Sequence, residues 1–155
     1  ATVGKLSECK NIIGIKDATG DISRVRQLKD SCGEDFALLS GDDSSLMEFI
    51  GYGGHGVISV LANVVPKKIA ALCDLAKDDI KKATALNEEL LALNNVMHLE
   101  VNPVTIKFIM QELGLIKSGI RLPLVNLSDE LKTIVRKAIS KTSIGEININ
   151  YYADA

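Results

Sequence analysis

Three short apolar runs, each followed by a helix-like pattern, constrain the fold of this 155-residue chain more than any other feature. The runs lie at 12–15, 36–39 and 57–61, and they are apolar on both faces. Strands of this kind are typical of parallel sheets covered by helices, because both faces are buried. The sequence therefore predicts three consecutive strand–helix units of the α/β class.

The helices of these units carry residues that mark their ends. Asp21 can cap a helix that Gly33 closes, residues 44–52 predict a short helix, and Pro66 suits a first helical turn. We expect these helices to bury one apolar face against the sheet. The residues expected on that face are Ile22, Val25, Leu28, Leu46, Phe49, Ile50, Ile69, Leu72, Cys73 and Leu75.

The rest of the chain is helical in pattern. One helix is predicted over 79–99, a second begins with an Asn102 cap and Pro103 in its first turn, and a third is capped by Ser128. We therefore expect three βα units over 1–78, a helical domain over 79–140 and a tail over 141–155. The tail reads as a weak strand or a disordered end.

The number of units is too small for a closed sheet. An eight-stranded barrel needs at least ~200 residues, and three units cannot close one. A free-standing three-stranded parallel sheet would leave two apolar edges bare. The sequence therefore predicts that part of the sheet lies outside this chain.

Composition excludes several classes of function. Twenty acidic against eighteen basic residues, with only three Tyr, three Phe and no Trp, argue against nucleic-acid binding. No apolar run approaches the ~20 residues that span a bilayer, so no membrane segment is expected. Three scattered cysteines without an export signal favour reduced thiols and a cytoplasmic location. No cluster of histidines or cysteines supports a metal site.

Lys16 has the clearest chemical implication. It directly follows the first apolar run, so its amine is expected at the carboxyl end of a parallel sheet, where active sites of α/β proteins gather. Desolvation there favours the neutral amine, which can attack a ketone and form a Schiff base. The alternative is a lysine whose aliphatic stem lies at a strand end and which has no chemical role.

The second run ends in Ser-Gly-Asp-Asp at the same predicted edge. Gly41 could let the backbone approach a ligand closely. Asp42 and Asp43 could act as acid–base groups, but we favour the interpretation that one of them caps the following helix.

The segment 51–56 matches GxGxxG in its letters. A dinucleotide fingerprint follows a strand and opens a helix, whereas this segment follows a predicted helix and opens a strand. We therefore interpret its glycines as a tight turn, and His55 as solvated or bonded to the backbone.

Several motifs, taken in order, resemble one enzyme family. They are IIGIKDATGD at 12–21, LLSGDD at 38–43, GGHGVISV at 53–60, Asn102-Pro103 with Lys107, and RLPL at 121–124. Over about residues 1–139 the chain is similar to the dihydrodipicolinate synthases of the pyruvate-dependent class I aldolase superfamily. The likeness is to the second half of such enzymes, with strands six to eight and the helical domain.

This resemblance implies a (β/α)8 TIM barrel with a C-terminal helical domain, assembled as a homotetramer without a cofactor. The family condenses pyruvate with L-aspartate semialdehyde in lysine and diaminopimelate biosynthesis. By the same resemblance, Lys16 forms the Schiff base and Ile58 contributes a main-chain contact to pyruvate. By the same resemblance, Gly41 and Asp42 line the opening of the pyruvate pocket.

The resemblance leaves part of the catalytic machinery unmatched. The family's paired threonines, proton-relaying tyrosines and substrate-binding arginine have no counterparts here, so we expect the isolated chain to be inactive without the missing N-terminal half of the barrel. Two alternatives stay open. One is a pyruvate aldolase resembling N-acetylneuraminate lyase, and the other is a non-catalytic half-barrel.

Overall fold

The structure is a computed structural model that describes residues 2–142 and 144. Its described residues form two compact units, one containing residues up to 62 together with 67–84, and the other containing 63–66 and residues from 85 onwards. The strands are β1 (Gly14–Asp17), β2 (Ala37–Ser40) and β3 (Gly56–Val57). The helices are α1 (Thr2–Ser7), α2 (Ser23–Cys32), α3 (Leu46–Gly51), α4 (Pro66–Asp78), α5 (Ile80–Asn94), α6 (Val104–Glu112) and α7 (Asp129–Ile139).

The strands that the structure describes form one parallel sheet in the order β1–β2–β3. Lys16 of β1 lies opposite Leu39 of β2, and Asp17 lies opposite Ser40. The predicted succession of parallel strands and helices is confirmed. The strand bounds differ, however, because β1 begins two residues later than predicted and includes Lys16 itself.

The third strand is shorter than the sequence predicts. Ile58 still donates its amide to the Ser40 carbonyl at 2.8 Å, but the ladder ends there. The amides of Val60 and Leu61 donate to the Asp43 carboxylate at 2.8 and 3.1 Å, and a 3-10 turn follows. Amides that bond a side chain cannot extend a strand ladder, so the expectation of a strand through Leu61 is wrong.

One core cluster of the first unit lies on one face of the sheet. Its buried members are Val25, Leu28, Phe36, Leu38 and Phe49. Side chains alternate along a strand, so Ile15 and Leu38 face this core, whereas Lys16 and Leu39 face the opposite side. Lys16 therefore lies on the sheet face opposite this core cluster.

One predicted end of α2 is confirmed and the other differs. Gly33 has a φ of 86° and donates its amide to the Lys29 carbonyl, so a residue without a Cβ ends α2. The N-cap position of α2 is Ile22 and not Asp21, although the Asp21 carboxylate accepts the amide of Ser23, the first residue of α2, at 3.0 Å. These short-range hydrogen bonds set the length of the helix that follows β1.

The glycine-rich segment 51–56 joins the end of α3 to β3, as predicted. His55 donates its amide to the Leu38 carbonyl at 2.8 Å, and its Nδ1 accepts the Leu38 amide at 3.0 Å. The imidazole thus replaces a strand carbonyl as the partner of Leu38. The interpretation of His55 as a backbone-bonded residue is confirmed.

The helical part of the chain agrees with the sequence at some ends and differs at others. Ser128 accepts the Leu131 amide at 3.3 Å and caps α7, as predicted. The predicted Asn102 cap is wrong, because Pro103 occupies the N-cap position of α6 and no side chain bonds there. The tail prediction for 141–155 lies almost wholly outside the described residues. Among the helices described, none has the length and apolar character to span a bilayer.

Candidate active site at the carboxyl ends of the strands

Lys16 is the only lysine in the described strands, and it precedes the last residue of β1. Its side chain is exposed, and it makes no hydrogen bond or ion pair with any other described residue. For the residues described, the expected desolvation of the amine is wrong, because the Lys16 side chain is exposed. The amine is instead accessible and unpaired.

Gly41 lies directly beside the Lys16 side chain. Its amide donates to the Asp17 carbonyl at 2.7 Å, which fixes the first residue after β2 against the end of β1. A Cβ on Gly41 would stand 2.6 Å from both Lys16 Cε and Ala18 Cβ. Only glycine leaves room here for the lysine stem to cross the carboxyl edge of the sheet.

Asp17 is a site residue that our sequence reasoning missed. Its buried carboxylate accepts the Thr19 amide at 2.9 Å, the Thr19 hydroxyl at 2.6 Å and Arg24 Nε at 2.7 Å. Burial raises its pKa, but the hydrogen bonds and the nearby guanidinium outweigh burial, so the pKa lies below its ordinary value. The Asp-x-Thr sequence after a strand was the available signal, since Asp side chains commonly bond the backbone two residues on.

Asp42 is held by the residues that precede α3. Its carboxylate accepts the Ser44 hydroxyl at 2.7 Å and the Ser45 amide at 2.9 Å. Burial acts to raise its pKa, but these bonds prevail and lower it. These bonds hold the turn before α3, but Ser45 occupies the N-cap position and no side chain bonds there, so the expectation that Asp42 or Asp43 caps this helix is wrong.

Asp43 connects the loops that follow β2 and β3. One carboxylate oxygen accepts the amides of Val60 and Leu61, whereas the other is buried and has no hydrogen-bond partner among the described residues. Ile58 lies in the second loop, is 49% exposed and donates its amide to Ser40. Asp43 thus fixes the main chain around Ile58 relative to the end of β2.

Together these contacts build a site of one accessible amine and two fixed backbone segments at one sheet edge. An amine of this kind can add to a carbonyl compound, and ordered backbone groups can bind the carboxylate of such a compound. Within the described part of the chain, no three His, Cys, Asp or Glu residues are grouped so as to hold a metal ion.

Comparison with known proteins identifies the family to which this chain is similar. The sequence profile of the Dihydrodipicolinate synthetase family matches residues 1–142. The 4-hydroxy-tetrahydrodipicolinate synthase of Alcanivorax borkumensis is 46% identical over 147 residues, which cover 94% of this chain and 50% of that protein. The synthase of Shewanella pealeana is 46% identical over 145 residues. This chain thus spans about half the length of the curated relatives it matches.

Solved structures show the same half-length match. The 4-hydroxy-tetrahydrodipicolinate synthase of Methylacidiphilum fumariolicum SolV superposes with a TM-score of 0.88 at 35% identity, over 92% of this chain and 48% of that one. The chloride-inhibited dihydrodipicolinate synthase of Acinetobacter baumannii, complexed with pyruvate, gives 0.87 at 40% identity, over 92% and 50%. These matches confirm the TIM barrel class, of which this chain contains three strand–helix units. The chain belongs to the dihydrodipicolinate synthetase family.

Proposed function

We propose that this chain carries the Schiff-base lysine of a 4-hydroxy-tetrahydrodipicolinate synthase, and that Lys16 condenses with pyruvate. The observation that carries the proposal is the accessible, unpaired Lys16 amine at the carboxyl edge of a parallel sheet. The pyruvate complex of the Acinetobacter baumannii relative supports the choice of keto acid. The names of the relatives support the reaction class, a lyase of lysine and diaminopimelate biosynthesis.

The proposed chemistry begins with the neutral Lys16 amine. Nζ attacks the keto carbon of pyruvate and forms a carbon–nitrogen bond. The former carbonyl oxygen takes up protons and leaves as water, while nitrogen gives up its two protons and becomes an imine. The pyruvyl methyl carbon then loses a proton and attacks the aldehyde of L-aspartate semialdehyde.

The neighbouring backbone takes the positioning roles. We assign Ile58 a main-chain contact with the pyruvate carboxylate, supported by the hydrogen bonds that hold its loop. Gly41 and Asp42 line the mouth of the site. The lack of a Cβ at Gly41 supports this, because the lysine stem passes directly over that residue.

Proton transfer is assigned to residues outside this chain. Imine formation and carbon–carbon bond formation both require it, and the family's proton-relaying residues have no counterparts here. We therefore propose that the chain acts with the N-terminal half of the barrel and is inactive alone. A homotetrameric assembly and a cytoplasmic location are part of the same proposal, and they rest on the family resemblance.

Borohydride trapping tests the nucleophile. The protein, in its intact assembly, is incubated with pyruvate and borohydride, and the modified peptide is identified by mass spectrometry. We expect reduction of an imine at Lys16 and loss of the adduct in Lys16→Met. Lys10, which is also exposed and precedes the same strand, is the matched control, and Lys10→Met should trap normally.

Two results would contradict the proposal. One is an adduct at a lysine other than Lys16, and the other is no pyruvate-dependent adduct from folded protein. The choice of second substrate is tested separately, by comparing L-aspartate semialdehyde with N-acetylmannosamine. Faster turnover of N-acetylmannosamine would favour the lyase alternative and leave the role of Lys16 intact.

A further inference from the structure

A cavity of about 100 Å³ in the second unit is lined by charged residues of one sign. Lys107, Lys117 and Lys132 line it, and none of the Asp and Glu residues that the structure describes does. Acidic residues outnumber basic ones in the chain as a whole, so this lining departs from the average surface. The uncharged polar residues of the wall, all able to donate hydrogen bonds, are Gln111, Ser118 and Asn126.

The fold brings the three lysines together from different elements. Lys107 lies with Val104, Phe108 and Gln111 on one face of α6, at the spacing of successive helical turns. Lys117 belongs to the segment between α6 and α7, and Lys132 belongs to α7. These lysines are therefore placed by tertiary structure, not by a run of basic sequence.

The positive charge of the cavity is only partly neutralised. Lys132 binds Asp129 at 2.8 Å, but that carboxylate is 97% exposed, and exposed pairs are weak. Glu112, the acidic residue of α6, accepts two hydrogen bonds from Arg136 at 2.6 and 3.1 Å, and its charge also acts on Lys132. Lys107 and Lys117 form no ion pair with any residue that the structure describes.

We propose that this cavity is a binding site for a small oxyanion of the phosphate or sulfate class. Lysine ammonium groups bind phosphate as point charges, and the amide and hydroxyl donors of the wall complete the coordination of its oxygens. The volume holds a few heavy atoms, the space of several waters. The site does not depend on the function proposed for Lys16.

Titration of the purified protein with inorganic phosphate, in a buffer free of other oxyanions, tests the site by calorimetry. We expect one saturable event that sulfate competes for and that neutral trimethyl phosphate does not. Lys107→Gln and Lys117→Gln should each weaken binding by about tenfold, since each removes a charged hydrogen-bond donor. Lys137→Gln is the matched control, because Lys137 lies on α7 but does not line the cavity.

The proposal is overturned if phosphate binding does not saturate, if the Lys107/Lys117 double variant binds as the parent does, or if Lys137→Gln loses as much affinity. Circular dichroism verifies that each variant is folded. Lys117 is exposed in a loop, so its variant decides the matter if Lys107→Gln fails to fold. Lys16→Met should bind phosphate normally, which separates this site from failure of the Schiff-base chemistry.

Discussion

A methyl group at position 41 tests whether the Lys16 side chain lies where we describe it. The φ of Gly41 is outside the left-handed region, so Gly41→Ala adds volume without backbone strain. The new Cβ would stand 2.6 Å from Lys16 Cε, 2.6 Å from Ala18 Cβ and 3.1 Å from Ala18 Cα. Carbon atoms in favourable contact are about 3.5–4.0 Å apart, so the overlap with the first two is roughly 1 Å.

The size of the effect depends on which neighbour can move. The tip of Lys16 can rotate away, but Ala18 is held, because Asp17 is bonded through its carbonyl to Gly41 and through its carboxylate to Thr19. Overpacking of this kind costs about 1–3 kcal/mol, and we expect a loss of about 1–2 kcal/mol in the free energy of unfolding. Displacement of the amine should also slow pyruvate trapping by at least about tenfold.

Gly56→Ala is the matched control for this substitution. Gly56 lies in the neighbouring strand, its φ is also outside the left-handed region, and its Cβ would meet only Leu39 Cδ2 at 3.8 Å. We expect its unfolding free energy to change by less than about 0.5 kcal/mol, with normal trapping. Urea denaturation and borohydride trapping measure both effects. The reasoning is refuted if Gly41→Ala matches the parent protein in both assays, or if the two variants behave alike.

Three further predictions follow from the hydrogen bonds described. Asp17→Asn should lose about 1–2 kcal/mol of unfolding free energy, measured by urea denaturation, because it replaces a buried carboxylate that Arg24 and Thr19 bond. The control is Asp30→Asn, on the exposed face of α2, which should lose none. The pKa values of Asp17 and Asp42 in the folded protein lie below the ordinary value, so their contribution to stability is present above about pH 4 and is lost as the pH falls through those folded values. The melting temperature should therefore fall as the pH is lowered through this range. Asp17→Asn should weaken that pH dependence. Ser128→Ala should cost about 1 kcal/mol and speed amide exchange in the first turn of α7, and unchanged exchange there would show that the cap contributes nothing.

The parts of the fold that could be predicted depend on neighbours in sequence. Pro66 begins α4 because its fixed φ and missing amide suit a first turn, and Ser128 caps α7 through a bond three residues along. The buried face of α3 follows from apolar spacing, and Leu46, Phe49 and Ile50 are all buried as expected. Local chemistry suffices in each case.

The parts that could not be predicted depend on contacts between distant residues. The Asp43 carboxylate bonds Val60 and Leu61, which are 17 and 18 residues away, and no short-range pattern indicates that bridge. Those two bonds end β3, although the apolar run continues. At Asn102 a favourable local signal is not used, since the helix begins after Pro103 without a side-chain cap. Sequence patterns thus place elements better than they place their ends.

The described residues place Lys16 at the sheet edge but leave its side chain exposed. Alternation along β1 points Ile15 at the core cluster and Lys16 at the opposite face, where its side chain is exposed. The place of the lysine at the sheet edge is set within the chain, by the Asp17 hydrogen bonds after it and by the space that Gly41 leaves beside its side chain. Desolvation must come from other groups, since it requires cover on that face. Gly41→Ala therefore changes the position of the Lys16 amine without changing which groups bury it. A trapping defect in that variant would show that the position of the amine alone limits the reaction.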